Sequence, residues 1–169
     1  VLRSQASGEV SAAQVLHKVN EKLFPDIKED MFISMAYAIL ERESPRVTLC
    51  RAGHDAPLLY RAADRSVTKV NPPGMAVGID SGEAFNRFTR DFSLEMHPND
   101  CLILYTDGVT EALDSEGEEF GMERMTCAIV ESAHLGASAI LDRLTSELKT
   151  FVGAAPQHDD ITLIVIRKK

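Results

Sequence analysis

Apolar positions recur along this chain at two different periods. Ala12, Val15, Leu16, Val19 and Leu23 fall at helical spacing, and Ser11 with Gln14 forms a capping-box pattern in front of them. Pro25 stops that helix. Met122, Met125, Ile129 and Val130 predict a second amphipathic helix. Ala137, Ile140, Leu141, Leu144, Leu148 and Phe151 predict a third, ended by Gly153-Ala154-Ala155-Pro156. The strand signals are shorter. Residues 31–40 read as a largely buried strand, and residues 46–52 alternate cleanly, which predicts a hairpin between the two. Residues 58–60 and 67–70 predict two more strands. Asn71-Pro72-Pro73-Gly74 breaks the pattern, and residues 75–79 read as a loop over the core. Phe85, Phe88, Phe92 and Leu94 belong to a strand-like run. His97-Pro98-Asn99-Asp100 turns the chain into a strand over 101–106, and residues 161–166 form a β-branched final strand.

Strands grouped between a first helix and two later ones favour an α+β fold with antiparallel sheets over a parallel βαβ arrangement. At 169 residues the chain reads as a single domain over 1–169, or most of one. Residues 1–10 read as the tail of a preceding segment. The net charge of −8 argues against binding to nucleic acid or to an anionic membrane. No apolar run approaches membrane-spanning length and no signal-peptide core is present, so the expectation is a cytoplasmic protein. Cys50, Cys101 and Cys127 are scattered and odd in number; Cys50 and Cys101 read as buried free thiols.

Candidate chemistry sits at two strand ends. An apolar strand runs into Thr106-Asp107-Gly108, where the glycine allows a tight turn, and Asp159-Asp160 precedes the final strand. Asp107 and Glu111 are four apart, so a helical turn beginning at Asp107 would place both carboxylates on one face; Asp107 as a plain helix cap is the alternative. If the two strands are antiparallel neighbours, Asp107 and Asp159 converge. Clustered carboxylates repel, and a divalent cation relieves the repulsion. Oxygen donors select magnesium, manganese or calcium over zinc. The acidic stretch 114–119 lacks calcium-loop spacing and reads as a solvated turn.

Several motifs together resemble one family. They are Ala52-Gly53-His54-Asp55-Ala56-Pro57, Pro72-Pro73-Gly74-Met75-Ala76-Val77-Gly78, Leu104-Tyr105-Thr106-Asp107-Gly108-Val109-Thr110-Glu111-Ala112, Phe120-Gly121 and Asp159-Asp160-Ile161-Thr162-Leu163. Their order and intervals resemble the SpoIIE/RsbU-like branch of PPM-type metal-dependent serine/threonine phosphatases. The resemblance implies a sandwich of two antiparallel sheets flanked by helices, with a pair of Mn2+ or Mg2+ ions at one end. It implies metal ligation and catalysis, through metal-bound water, by Asp107 and Asp159, with Asp160 beside them. It places Glu111, and His54 more weakly, in the region of a third metal. The family's earlier Asp-containing, glycine-rich motif does not appear, so the expectation is a domain lacking its first strands, with weak or absent binding of the metal pair. Exposed sheet edges would invite homo-oligomer formation.

The implied activity is phosphoserine/phosphothreonine protein phosphatase in bacterial signalling. The implied substrate is a phosphorylated anti-sigma-factor antagonist, with this chain alone inactive. The alternatives are a non-catalytic regulatory or partner-binding module on the same scaffold, and a plain structural domain should Asp107 and Asp159 lie far apart.

Overall fold

The alternating segment 46–52 forms β2 (Arg46–Ala52), the centre of a three-stranded antiparallel sheet. It pairs with β1 (Met35–Leu40) on one side and β5 (Phe92–Glu95) on the other. This computed structural model describes residues 1–6, 8, 11–28, 30–41 and 43–169. The chain divides into two units, the first made of residues 1–56 and 71–96, the second of residues 57–70 and 97–169.

In the first unit, α2 (Ala12–Leu23) begins where the capping pattern places it: the Ser11 hydroxyl accepts the Gln14 amide at 3.1 Å. Its Ala12, Ala13 and Leu16 pack with Cys50, Ala52, Val77 and Phe85. A short helix α1 (Leu2–Ala6), with no buried residue, precedes it. The reading of residues 1–10 as a tail falls in part on residues 7, 9 and 10, which lie outside the described residues. The 75–79 segment lies over this core as expected, with Val77 fully buried and paired to Ile33.

Two expectations fail here. The strand expected over 31–40 is only β1, and none of its residues is fully buried. Among the described residues β1 pairs with β2 alone, so it is an edge strand and packs less completely. Phe85 and Phe88 lie not in a strand but in α3 (Glu83–Phe88). The Asp80 carboxylate accepts the Gly82 and Phe85 amides, each at 3.0 Å, which starts a helix that the phenylalanine pattern alone does not reveal. Those amides hold the Asp80 carboxyl below its ordinary range.

The second unit has a four-stranded antiparallel sheet in the order β4-β3-β6-β7, built from β3 (Leu58–Arg61), β4 (Ser66–Lys69), β6 (Cys101–Tyr105) and β7 (Leu163–Arg167). The two predicted helices are α4 (Gly121–Ser132) and α5 (Ala137–Val152). Met125, Ile129, Ile140 and Leu144 bring their apolar stripes onto Leu58, Cys101, Ile103 and Tyr105. Cys101 and, in the first unit, Cys50 are buried free thiols; burial pushes Cys50 up to about 12. The acidic stretch is a turn, with the Asp114 carboxylate accepting the Glu116 and Glu118 amides. Among the described residues no helix is long and apolar enough to cross a membrane.

Candidate functional site

The two acidic strand ends meet. β6 and β7 are antiparallel neighbours, and the last residue of one, Tyr105, is paired with the first of the other, Leu163. The ladder continues past that rung through one residue, Thr106, by both its backbone and its side chain. The Thr106 hydroxyl donates to the Asp160 carbonyl at 2.8 Å and accepts the Thr162 amide at 2.9 Å, while the Thr106 amide donates to the Thr162 carbonyl at 3.1 Å. Thr106 thus ties the segment carrying Asp159 and Asp160 to the segment carrying Asp107. Sequence reasoning passed over it, although its place directly before Asp107 was the available signal.

Gly108 is needed for space. A Cβ at this position would lie 2.6 Å from the Asp160 carbonyl oxygen and 3.4 Å from the Asp159 Cβ. Its φ is not positive, so close approach of the two segments, not turn conformation, requires the missing side chain. Gly108→Ala is expected to push the strand ends apart, lowering stability by about 1–3 kcal/mol. Chemical denaturation reads the stability loss, and a manganese titration of the same variant reads the effect on the carboxylates.

No α-helix begins at Asp107. The following segment is a 3₁₀ turn (Asp107–Val109), closed by the Thr110 amide donating to the Asp107 carbonyl, which also accepts the Glu111 amide at 2.8 Å. The helix-cap alternative for Asp107 therefore fails; among the described residues its Oδ1 accepts only the adjacent Gly108 amide, at 2.9 Å. Asp159 mirrors it, with Oδ1 accepting the Asp160 amide at 2.6 Å. Asp107, Glu111, Asp159 and Asp160 are all exposed. Glu111, Gly108 and Asp159 line one cleft of about 380 Å³, whose other walls include Leu148, Val152 and Lys149. His54 belongs to the first unit, where its Nδ1 is 3.2 Å from the Ser34 hydroxyl and its carbonyl accepts from Arg51. Among the described residues no group of three or more His, Cys, Asp and Glu side chains is placed to hold a metal ion.

A sequence profile of the Stage II sporulation protein E (SpoIIE) family matches residues 1–169. The chain belongs to the SpoIIE family. It is 28% identical over 166 residues to phosphoserine phosphatase RsbU of Bacillus subtilis, covering 95% of this chain and 46% of that protein. The chain thus spans about half the length of this curated relative. Among solved structures, the SiaA-PP2C domain of Pseudomonas aeruginosa matches with a TM-score of 0.78 at 18% identity, over 97% of this chain and 63% of that one. The manganese-presoaked phosphatase domain of the Bacillus subtilis cell fate determinant SpoIIE matches with a TM-score of 0.63 at 17% identity, over 98% and 70%. The α+β fold, with antiparallel sheets and flanking helices, is that of PP2C-type phosphatase domains.

Proposed function

We propose that this SpoIIE-family chain is a phosphatase domain of a bacterial signalling protein, hydrolysing phosphoserine or phosphothreonine on a protein substrate with the help of divalent cations. The observation that carries the reading is the meeting of Asp107 and Asp159 across the end of the β6–β7 ladder. The similarity to phosphoserine phosphatase RsbU supports the substrate class. The substrate in this reading is a phosphorylated anti-sigma-factor antagonist, an extension that rests on the family resemblance alone.

Two hard carboxylate donors fit manganese or magnesium in kind. In Asp107 and Asp159 a backbone amide takes Oδ1, and no hydrogen bond among the described residues engages Oδ2. Asp107 and Asp159 would hold the cation through those oxygens, and the remaining ligands would have to come from elsewhere. Asp160 supports the arrangement through its backbone, and Glu111 lies on the wall of the adjoining cleft. When bound, the cations lower the pKa of water and neutralise charge on the phosphoryl group. The chain's own contribution is to fix the two carboxylates relative to each other through Thr106 and Gly108.

Manganese-dependent release of phosphate from a phosphoserine peptide by the full-length protein, abolished by chelation, is the expected result. Chelator-insensitive hydrolysis would exclude the proposed role. The lack of any larger ligand cluster among the described residues favours a second reading, a partner-binding module on the same scaffold. Absence of metal-dependent hydrolysis by the full-length protein would select it.

A further inference from the structure

At the other end of the same ladder lies a feature of opposite charge. Arg167 is paired with Cys101, the first residue of β6, so it stands four residues along the ladder from the Tyr105–Leu163 rung, about 13 Å away. There Arg65, His134 and Arg167, from the β3–β4 turn, the 3₁₀ segment before α5 and the end of β7, line one depression of about 620 Å³. Asn99, Ala62 and the buried Tyr60 and Ala133 complete it, and no carboxylate among the described residues lines it. Such a grouping is unusual in a chain with a net charge of −8.

Both guanidiniums stand without a carboxylate partner among the described residues. The nearby Asp100 already accepts from Arg61, Ala62 and His97. The Arg167 head is positioned: Nη2 donates to Asn99 Oδ1 at 2.7 Å, and Nη1 lies where a Cβ at Gly136 would come within 2.8 Å. Arg65 donates one long bond, 3.4 Å, to the Val130 carbonyl. The backbone gives an independent sign. Among the described residues only Arg65, at φ 56°, and Asn99, at φ 73°, are non-glycine residues with positive φ, and both line this depression. Such conformations cost free energy and collect where a side chain must be aimed.

We propose that this depression binds a small phosphate-bearing anion, at a site separate from the acidic strand ends. Guanidinium groups present planar pairs of donors that match phosphate oxygens, and a guanidinium without a carboxylate partner is free to use them. Tyr60 and Ala133 supply an apolar floor for the organic part of the ligand.

The test is a calorimetric titration of the full-length protein with pyrophosphate in the presence of EDTA, so that no cation bridges the anion to Asp107 or Asp159. Sodium chloride of matched ionic strength is the control. Saturable binding by the wild type is expected. Arg167→Gln and Arg65→Gly should each weaken it about tenfold, and the double variant should abolish it. Glycine suits the left-handed backbone at position 65, so Arg65→Gly should keep the thermal unfolding midpoint of the unliganded protein while losing affinity. No binding beyond the salt control, or equal binding by the double variant, overturns the site. Tighter binding of a phosphoserine peptide than of pyrophosphate, through the same two arginines, overturns the small-ligand class.

Discussion

Asp107→Asn and Asp159→Asn are each expected to lower metal-dependent phosphatase activity of the full-length protein at least a hundredfold, a loss of about 2.7 kcal/mol in transition-state stabilisation. The substitution separates charge from structure. In both residues Oδ1 accepts a neighbouring amide, and an asparagine carbonyl can accept the same bond. What asparagine removes is the negative charge that holds a hard cation. Unfolding midpoints should therefore stay near wild type while activity falls. Raising the manganese concentration should recover part of the loss if the defect is in cation affinity. Activity retained in both variants would sink the assignment of these carboxylates.

The largest stability effect is expected at Asp100, which no chemical motif marks. Its side chain is 2% exposed and accepts three bonds, from Arg61 Nη1 at 2.7 Å, the His97 amide at 2.9 Å and the Ala62 amide at 2.9 Å. Asp100→Ala removes the acceptor and leaves those donors stranded, at a cost of about 3–5 kcal/mol. Burial by itself would raise the carboxyl's pKa, but the Ala62 and His97 amides and Arg61 together outweigh it and hold the pKa below its ordinary value. A carboxyl lowered on folding contributes stability above its unfolded pKa of about 3.9, and that contribution fades as pH falls through the lower folded value. The gap between wild type and Asp100→Ala in urea denaturation should thus be full near neutrality and narrow in acid below about pH 4. A gap that widens in acid would contradict the assigned network.

The pairing of the acidic strand ends was legible because each strand announces itself. The apolar run 101–105 and the β-branched run ending near residue 166 are strong patterns, and their acidic residues sit at complementary ends. Nothing in periodicity, however, distinguishes the spacing of Phe85 and Phe88 in a strand-like run from i,i+3 spacing in a helix; the Asp80 carboxylate decides it through bonds to backbone amides. Asp100 reads as an ordinary turn residue, because two of its three donors, Arg61 and the Ala62 amide, come from the end of β3, and its burial follows only from the assembled sheet. Arg65 and Arg167, about a hundred residues apart in the chain, become neighbours in one depression only once β3, β6 and β7 are aligned. Local chemistry is readable from neighbours in sequence; chemistry made by register is not.

The Thr106 tie has a consequence for biosynthesis. Asp107 leaves the ribosome more than fifty residues before Asp159, yet the two carboxylates have no fixed relation until the last strand has docked and the threonine hydroxyl has closed onto it. A chain that ends before residue 159 would carry Asp107 without its acidic counterpart. Assembly of that centre therefore waits until residues 159–167 have been made and β7 has docked.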